Sequence, residues 1–272
     1  MIRMRGKLGP KEAAIAFQGL SFLVIGTALT YFAYVWGSVS LNLGALVGSI
    51  LFWYAIVLLL FAFPLRVAFK IFLESMRRAL VAVAFVAYFV IHLFLYGFLL
   101  DAIFASVYGV PSLTVTPSIF VTTNVFYPPS FLSALLGLSY NPSINVILTP
   151  VLSTVLSFYG VSVALVIGVL FVANIAKAGE LGKLCTAWSR ARSLIVLPAL
   201  GIVLGASCCL SVPFLIAFAV PTVAVLTSIV WLFYLTYFIF PPFAIAVLGL
   251  NLYSIEKISA KAAPLSTGRP QN

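Results

Sequence analysis

The sequence predicts an all-α polytopic membrane protein, a bundle of about six transmembrane helices with both termini in the cytoplasm. Three observations carry this. The chain is 64% hydrophobic and only 7% charged over 272 residues, whereas a soluble domain is about 25% charged. Its apolar runs reach the roughly 20 residues that cross about 30 Å of hydrocarbon at about 1.5 Å per residue. All 15 Lys and Arg residues lie in groups at the ends of those runs.

Taken in order, the first span covers Ala13 to Val39 and the second Leu41 to Phe63, with a very short link around Ser40. Arg3, Arg5, Lys7 and Lys11 resemble a secretory n-region, but the run from Ala13 to Trp36 is too long for an h-region of about 7–15 residues. It is read as a retained span. A basic segment from Leu65 to Arg78 follows, then a third span, Ala79 to Leu100. An uncharged stretch runs from Ala102 to Asn145, behind Asp101. The fourth span covers Val146 to Ala176, a second basic segment Lys177 to Arg192, the fifth span Leu194 to Val220 and the sixth Thr222 to Leu248. Pro241 and Pro242 are expected to kink or end the sixth span, because proline removes a helix hydrogen bond and clashes with the preceding turn. Residues 1–256 thus form one six-span domain, and the polar tail, 257–272, is expected to be disordered.

Orientation follows from the cations. They fall at the N-terminus, in the segments around Lys70 and Lys183, and in the tail. Six spans place all of these groups on one side, and the positive-inside rule makes that side the cytoplasm of a plasma-membrane protein. An odd number of spans strands one group outside. The net charge of +10 does not point to nucleic acid, since the cations form no single patch. The three cysteines are an odd count, none in the predicted outer segment, so no disulfide framework is expected.

Within Leu65–Arg78, residues Arg66, Lys70, Glu74 and Arg77 or Arg78 share one helical face, while Leu65, Phe69, Phe72, Leu73 and Met76 supply apolar contacts. This reads as an in-plane interfacial helix with its cations at the headgroups; a docking site for a cytoplasmic partner such as an ATPase is the alternative. A solvated outer loop carries charge, so the uncharged segment 101–145 is expected to lie on the bilayer surface or to fold back over the bundle.

Ionisable groups inside spans are the natural functional candidates, because burying them in hydrocarbon is costly. His92, the only histidine, lies near the middle of the third span with Tyr88 and Tyr96 one turn away on the same face. It reads either as a proton relay or metal ligand, or as an imidazole bonded to a tyrosine or a carbonyl. Asp101 follows nine residues later, roughly opposite on a helix turning about 100° per residue, so the two form no dyad. Gln18 and Asn174 are expected to act as interhelical hydrogen-bond glue.

In the fifth span, Gly201, Gly205 and Cys209 share a face that permits close helix approach, and Cys208 points about 100° away. Adjacent thiols suit soft ions such as Cu(I), Zn or Hg; two small apolar cysteines packed between helices are the alternative. Ser207-Cys208-Cys209-Leu210 followed by Pro213 resembles the vicinal-cysteine span of mercuric-ion transport membrane proteins. The resemblance implies that Cys208 and Cys209 receive the metal from the outer side. It covers about a dozen residues, and it departs from the family in placing the pair in the fifth span rather than the first. It also leaves only Cys185 for a cytoplasmic relay. Counted from the cytoplasmic ends, Cys208 lies about 14 residues deep, or roughly 21 Å, and His92 about 13. The expected metal ligands are therefore Cys208, Cys209 and His92.

No phosphate loop, metalloprotease motif or nucleophile constellation is present, and no enzyme activity is expected. Two functions remain: a permease-like protein handling a thiophilic metal, or a non-catalytic membrane subunit of an electron-transfer assembly or ABC-type exporter. The expected partners are the bilayer and other membrane subunits or further copies of the chain.

Overall fold

A computed structural model describes residues 10–36, 42–95, 116–122, 137–139, 142–149, 152–184 and 238–266. The chain is mostly helical, as expected, but it also carries a small sheet. Its elements are α1 (Pro10–Trp36), α2 (Asn42–Ala62), α3 (Arg66–Ser75), α4 (Ala79–Val90) continued by a π-helical turn (Ile91–Leu95), β1 (Ser118–Thr122), β2 (Ser143–Thr149), β3 (Leu152–Ser157), α5 (Phe158–Leu184) and α6 (Phe240–Ser266). Among the described residues, the helical stretches Pro10–Ala33, Leu43–Ala62 and Phe158–Glu180 are long and apolar enough to cross a membrane. The helix Ala79–Phe94 is apolar but shorter. The fifth span and most of the sixth lie outside the described residues.

Contacts divide the chain into two compact units. One comprises Met1–Arg66, Phe120–Ile144 and Ser157–Ser162; the other comprises Val67–Ile119, Asn145–Leu156 and Val163–Asn272.

The first unit is built on an antiparallel helical hairpin. Gly19 of α1 faces Leu59 of α2, Gly26 faces Phe52, and Ala33 faces Gly44. The α1 positions recur every seven residues, the spacing that keeps one seam of a helix against its neighbour. At Gly26 the backbones nearly touch: an added Cβ would lie 2.7 Å from the Gly48 carbonyl oxygen and from the Phe52 nitrogen. Gly48 in turn lies against Thr30, whose hydroxyl donates to the Gly26 carbonyl at 2.9 Å. The opposite side of α1 presents Phe17, Leu20, Val24 and Phe32 outward. Arg66 pairs with Glu12 and so ties the start of α3 to the start of α1. Both side chains are at least partly exposed, so the pair adds little stability; it does hold Arg66 at the end of the hairpin where α1 begins.

In the second unit α3 buries Ala68, Ile71, Phe72 and Ser75 and exposes Lys70, Leu73 and Glu74. The expected face of Lys70 and Glu74 is thus confirmed, with a 3.9 Å pairing across one turn. Leu73 lies on the outward side of the helix and is exposed. Phe72 packs edge-on against Phe85 of α4, ring centroids 5.1 Å apart.

The fourth span departs most from expectation. Val146 to Ala176 was read as one helix from its apolar length. Residues up to Ser157 instead form β2 and β3, in a sheet ordered β1-β2-β3. The stretch is rich in Val, Ile and Thr, which favour strands. Only Pro150 and Val151 join these neighbouring strands, so they pair antiparallel; a parallel pair needs a long crossover. Helix α5 begins at Phe158, capped by Ser157, whose hydroxyl oxygen accepts from the Gly160 N–H at 3.0 Å. It continues through Lys177 to Leu184, into the second basic segment.

Pro241 and Pro242 stand in the first turn of α6, and the sixth span before Phe238 lies outside the described residues. Proline is tolerated there because the first N–H groups have no partner inside the helix. The helix runs on to Ser266, across the first part of the tail expected to be disordered.

Candidate functional site

Helix α5 organises the second unit. Of its apolar window 67% is buried, against 17% for α1, so it is an inner helix rather than a one-sided one. Gly168 makes the approach of α4 possible: a Cβ there would lie 2.8 Å from Phe85 Cε2 and 3.1 Å from Tyr88 Cδ1. Three residues on, Phe171 sets its ring 5.3 Å from that of Tyr88. Further along α4, Leu93 accepts a hydrogen bond at its carbonyl from the Thr154 hydroxyl of β3, at 3.0 Å. The chain just before α5 thus meets the turn that ends α4, while Gly168 and Phe171 of α5 meet α4 itself.

His92 lies in this packing, 1% exposed, within the π-helical turn. Such turns widen the helix by one residue and occur often at functional sites. Its Nδ1 is 2.7 Å from the hydroxyl of Tyr88, one turn back, the tyrosine contact anticipated from the spacing. The proton sits on either partner. When Tyr88 donates, the imidazole carries its hydrogen on Nε2. When Nδ1–H donates, Nε2 carries the lone pair, the tautomer that a metal-ligating histidine adopts when a hydrogen-bond partner orients it.

A second polar site joins α5 to α6. Asn174 is fully buried and donates from Nδ2 to the carbonyls of Leu170 at 2.7 Å and Leu248 at 3.1 Å. Its Oδ1 accepts from Nδ2 of Asn251 at 2.9 Å. Asn174 is thus the interhelical glue it was expected to be. Gln18, given the same expectation, is exposed on α1. Asn251 was missed. It stands in an apolar run three residues past Leu248, the same signal that pointed to Asn174, and a buried amide there needs a partner.

The third site is in the first unit. Within the uncharged segment, most of which lies outside the described residues, Leu138 and Ser139 are buried, and the Leu138 carbonyl accepts from the indole N–H of Trp53 at 2.7 Å. Tyr159 sets its ring 4.9 Å from that of Trp53.

Cys208 and Cys209, together with Cys185, Tyr96 and Asp101, lie outside the described residues. Among the described residues, no three His, Cys, Asp or Glu side chains cluster as a metal site would require. His92 is accordingly placed with a tyrosine and a threonine-bonded turn. Comparison with known proteins gives no match, whether to a family model, a curated protein or a solved structure.

Proposed function

We propose that this chain is an integral membrane protein of the plasma membrane, six spans with both termini in the cytoplasm, acting as a non-catalytic membrane subunit of a larger assembly. The observation that carries this reading is the use of polar groups within the apolar helices. Asn174 bonds Asn251 and the Leu248 carbonyl and so fastens α5 to α6, while His92 finds its partner, Tyr88, on its own helix. A buried amide bonded across helices holds packing geometry, which is what a scaffold requires. The Arg66–Glu12 pair, which joins the start of α3 to the start of α1, supports placing Lys11 and Arg66 on one side.

Two measurements test it. Reporter fusions at Pro142 and at Gly182 should give opposite signals, and equal signals remove the six-span topology. Gently solubilised native membranes should yield the chain in a particle of fixed subunit ratio, the same whichever terminus carries the affinity tag. A monodisperse chain that catalyses flux alone in liposomes overturns the subunit reading.

A second reading rests on the vicinal thiols of Cys208 and Cys209: transport of a soft ion, Cu(I), Zn or Hg, with His92 as a third ligand. It requires that the purified chain retain such a metal after mild washing and that Cys208→Ser with Cys209→Ser lose it. Equal trace metal in both removes the site.

A further inference from the structure

We propose that Arg77 and Arg78, with the outward face of α4, form a binding surface for a phospholipid carrying a net negative charge. The proposal rests on the membrane reading above. Arg77 and Arg78 are exposed in the turn that precedes α4, and among the described residues neither forms an ion pair. Arg78 occupies the position before the first residue of α4, and no side chain caps that end. A cation at the start of a helix meets the positive end of its dipole and is unfavourable there. An anion beside the two guanidiniums offsets both costs, and guanidinium grips phosphate oxygens through paired N–H donors.

What lies past the arginines selects a lipid over an acidic peptide. Leu80, Val83, Val86 and Val90 are all exposed, Leu80 by 84%. Their spacing of three and four residues sets them in one column along α4. A doubly charged end followed by an aliphatic column matches a headgroup followed by an acyl chain. In the bilayer the column lies among acyl chains, so the anion beside the arginines at its end is a lipid headgroup. The turn itself is fixed, since the Arg78 N–H donates to the Ser75 carbonyl at 3.0 Å and Phe72 packs on Phe85, so the cations cannot drift far from the top of the column.

The full chain, reconstituted in bilayers of phosphatidylcholine with a minor share of phosphatidylglycerol, is extracted in mild detergent and its retained lipid quantified by mass spectrometry. Wild type should retain phosphatidylglycerol above its bulk share. Juxtamembrane cations contribute about fivefold each to partition toward an anionic surface, so Arg77→Gln with Arg78→Gln should bring retention back to the bulk ratio. Arg77→Lys with Arg78→Lys should keep most of it. Lys257→Gln, which removes an exposed cation on α6, should change nothing. Bulk-ratio lipid on wild type, or enrichment untouched by the Gln pair, overturns the proposal. So does binding of a soluble polyglutamate peptide that the Gln pair abolishes while lipid retention stays constant, since that marks a protein-docking surface. Alkaline carbonate extraction separates the two levels: a chain released to the supernatant fails the membrane reading itself, whereas a chain held in the pellet with bulk-ratio lipid fails only this inference.

Discussion

The indole N–H of Trp53 donates to the carbonyl of Leu138 at 2.7 Å, near the midpoint of α2. Trp53 is eleven residues past Asn42, or roughly 16 Å along the helix at about 1.5 Å per residue. A backbone carbonyl at that depth of a membrane protein needs a partner within the protein, and Leu138 is 1% exposed. Trp53→Phe keeps the aromatic packing on Tyr159 and removes the donor, leaving a buried carbonyl unpaired at a cost of about 1–3 kcal/mol. Protease applied to the outer side should cut segment 101–145 slowly in wild type and faster in Trp53→Phe. Equal rates would show that the bond does not hold the segment.

The hairpin of the first unit discriminates among its glycines. Gly26→Ala and Gly48→Ala place a methyl against backbone that cannot yield without separating the helices. Overpacking of this kind costs about 1–3 kcal/mol. Gly44→Ala meets only the Ala33 methyl at 3.7 Å, an ordinary contact, and should be neutral. Thermal denaturation in detergent should rank Gly44→Ala near wild type and the other two below it. A uniform loss across all three would contradict the close approach.

The Asn174–Asn251 pair should behave as a coupled unit. Asn174→Ala removes three bonds and Asn251→Ala one. Interhelical hydrogen bonds in membranes average about 0.6 kcal/mol and reach about 1.7. Asn174→Ala should therefore destabilise by about 1–2 kcal/mol, Asn251→Ala by less, and the double variant by about as much as Asn174→Ala alone. Additive losses in chemical denaturation would show that the two amides act independently.

His92 is the only histidine, so nitrogen-15 histidine labelling reports one site. Tyr88→Phe keeps the ring against Gly168 and Phe171 and removes the hydroxyl that meets Nδ1. The Nδ1 and Nε2 resonances of His92 should shift in that variant, with a stability loss of about 1 kcal/mol. Unchanged resonances would mean that the bond to Tyr88 does not form.

Much of this was legible along the chain because it depends on local composition. Apolar length marked the helices of α1, α2 and most of α5, and the spacing of Tyr88 and His92 announced their contact. The two-sided pattern of α3 showed which face carries Lys70 and Glu74. The strands before Phe158 were not legible from apolar length, which a buried strand and a membrane helix share. β-Branched content and Pro150 were the signals that separate them.

The sequence by itself determined an apolar, membrane-type chain, with its cations at the ends of the apolar runs and a histidine within one of them. Those are properties of single segments, since transfer of each segment from water depends on its own side chains. Tertiary structure alone decided which segments meet. Gly26 is an interface residue because Phe52 and Gly48 stand opposite it, and nothing near Gly26 in the chain says so. The same holds for Asn174 with Asn251 and for Trp53 with Leu138, whose partners lie 77 and 85 residues away. In a bilayer the hydrophobic effect does not pair helices, because lipid is as apolar as leucine. Pairing is left to close packing and hydrogen bonds, which exist only once both partners are in place.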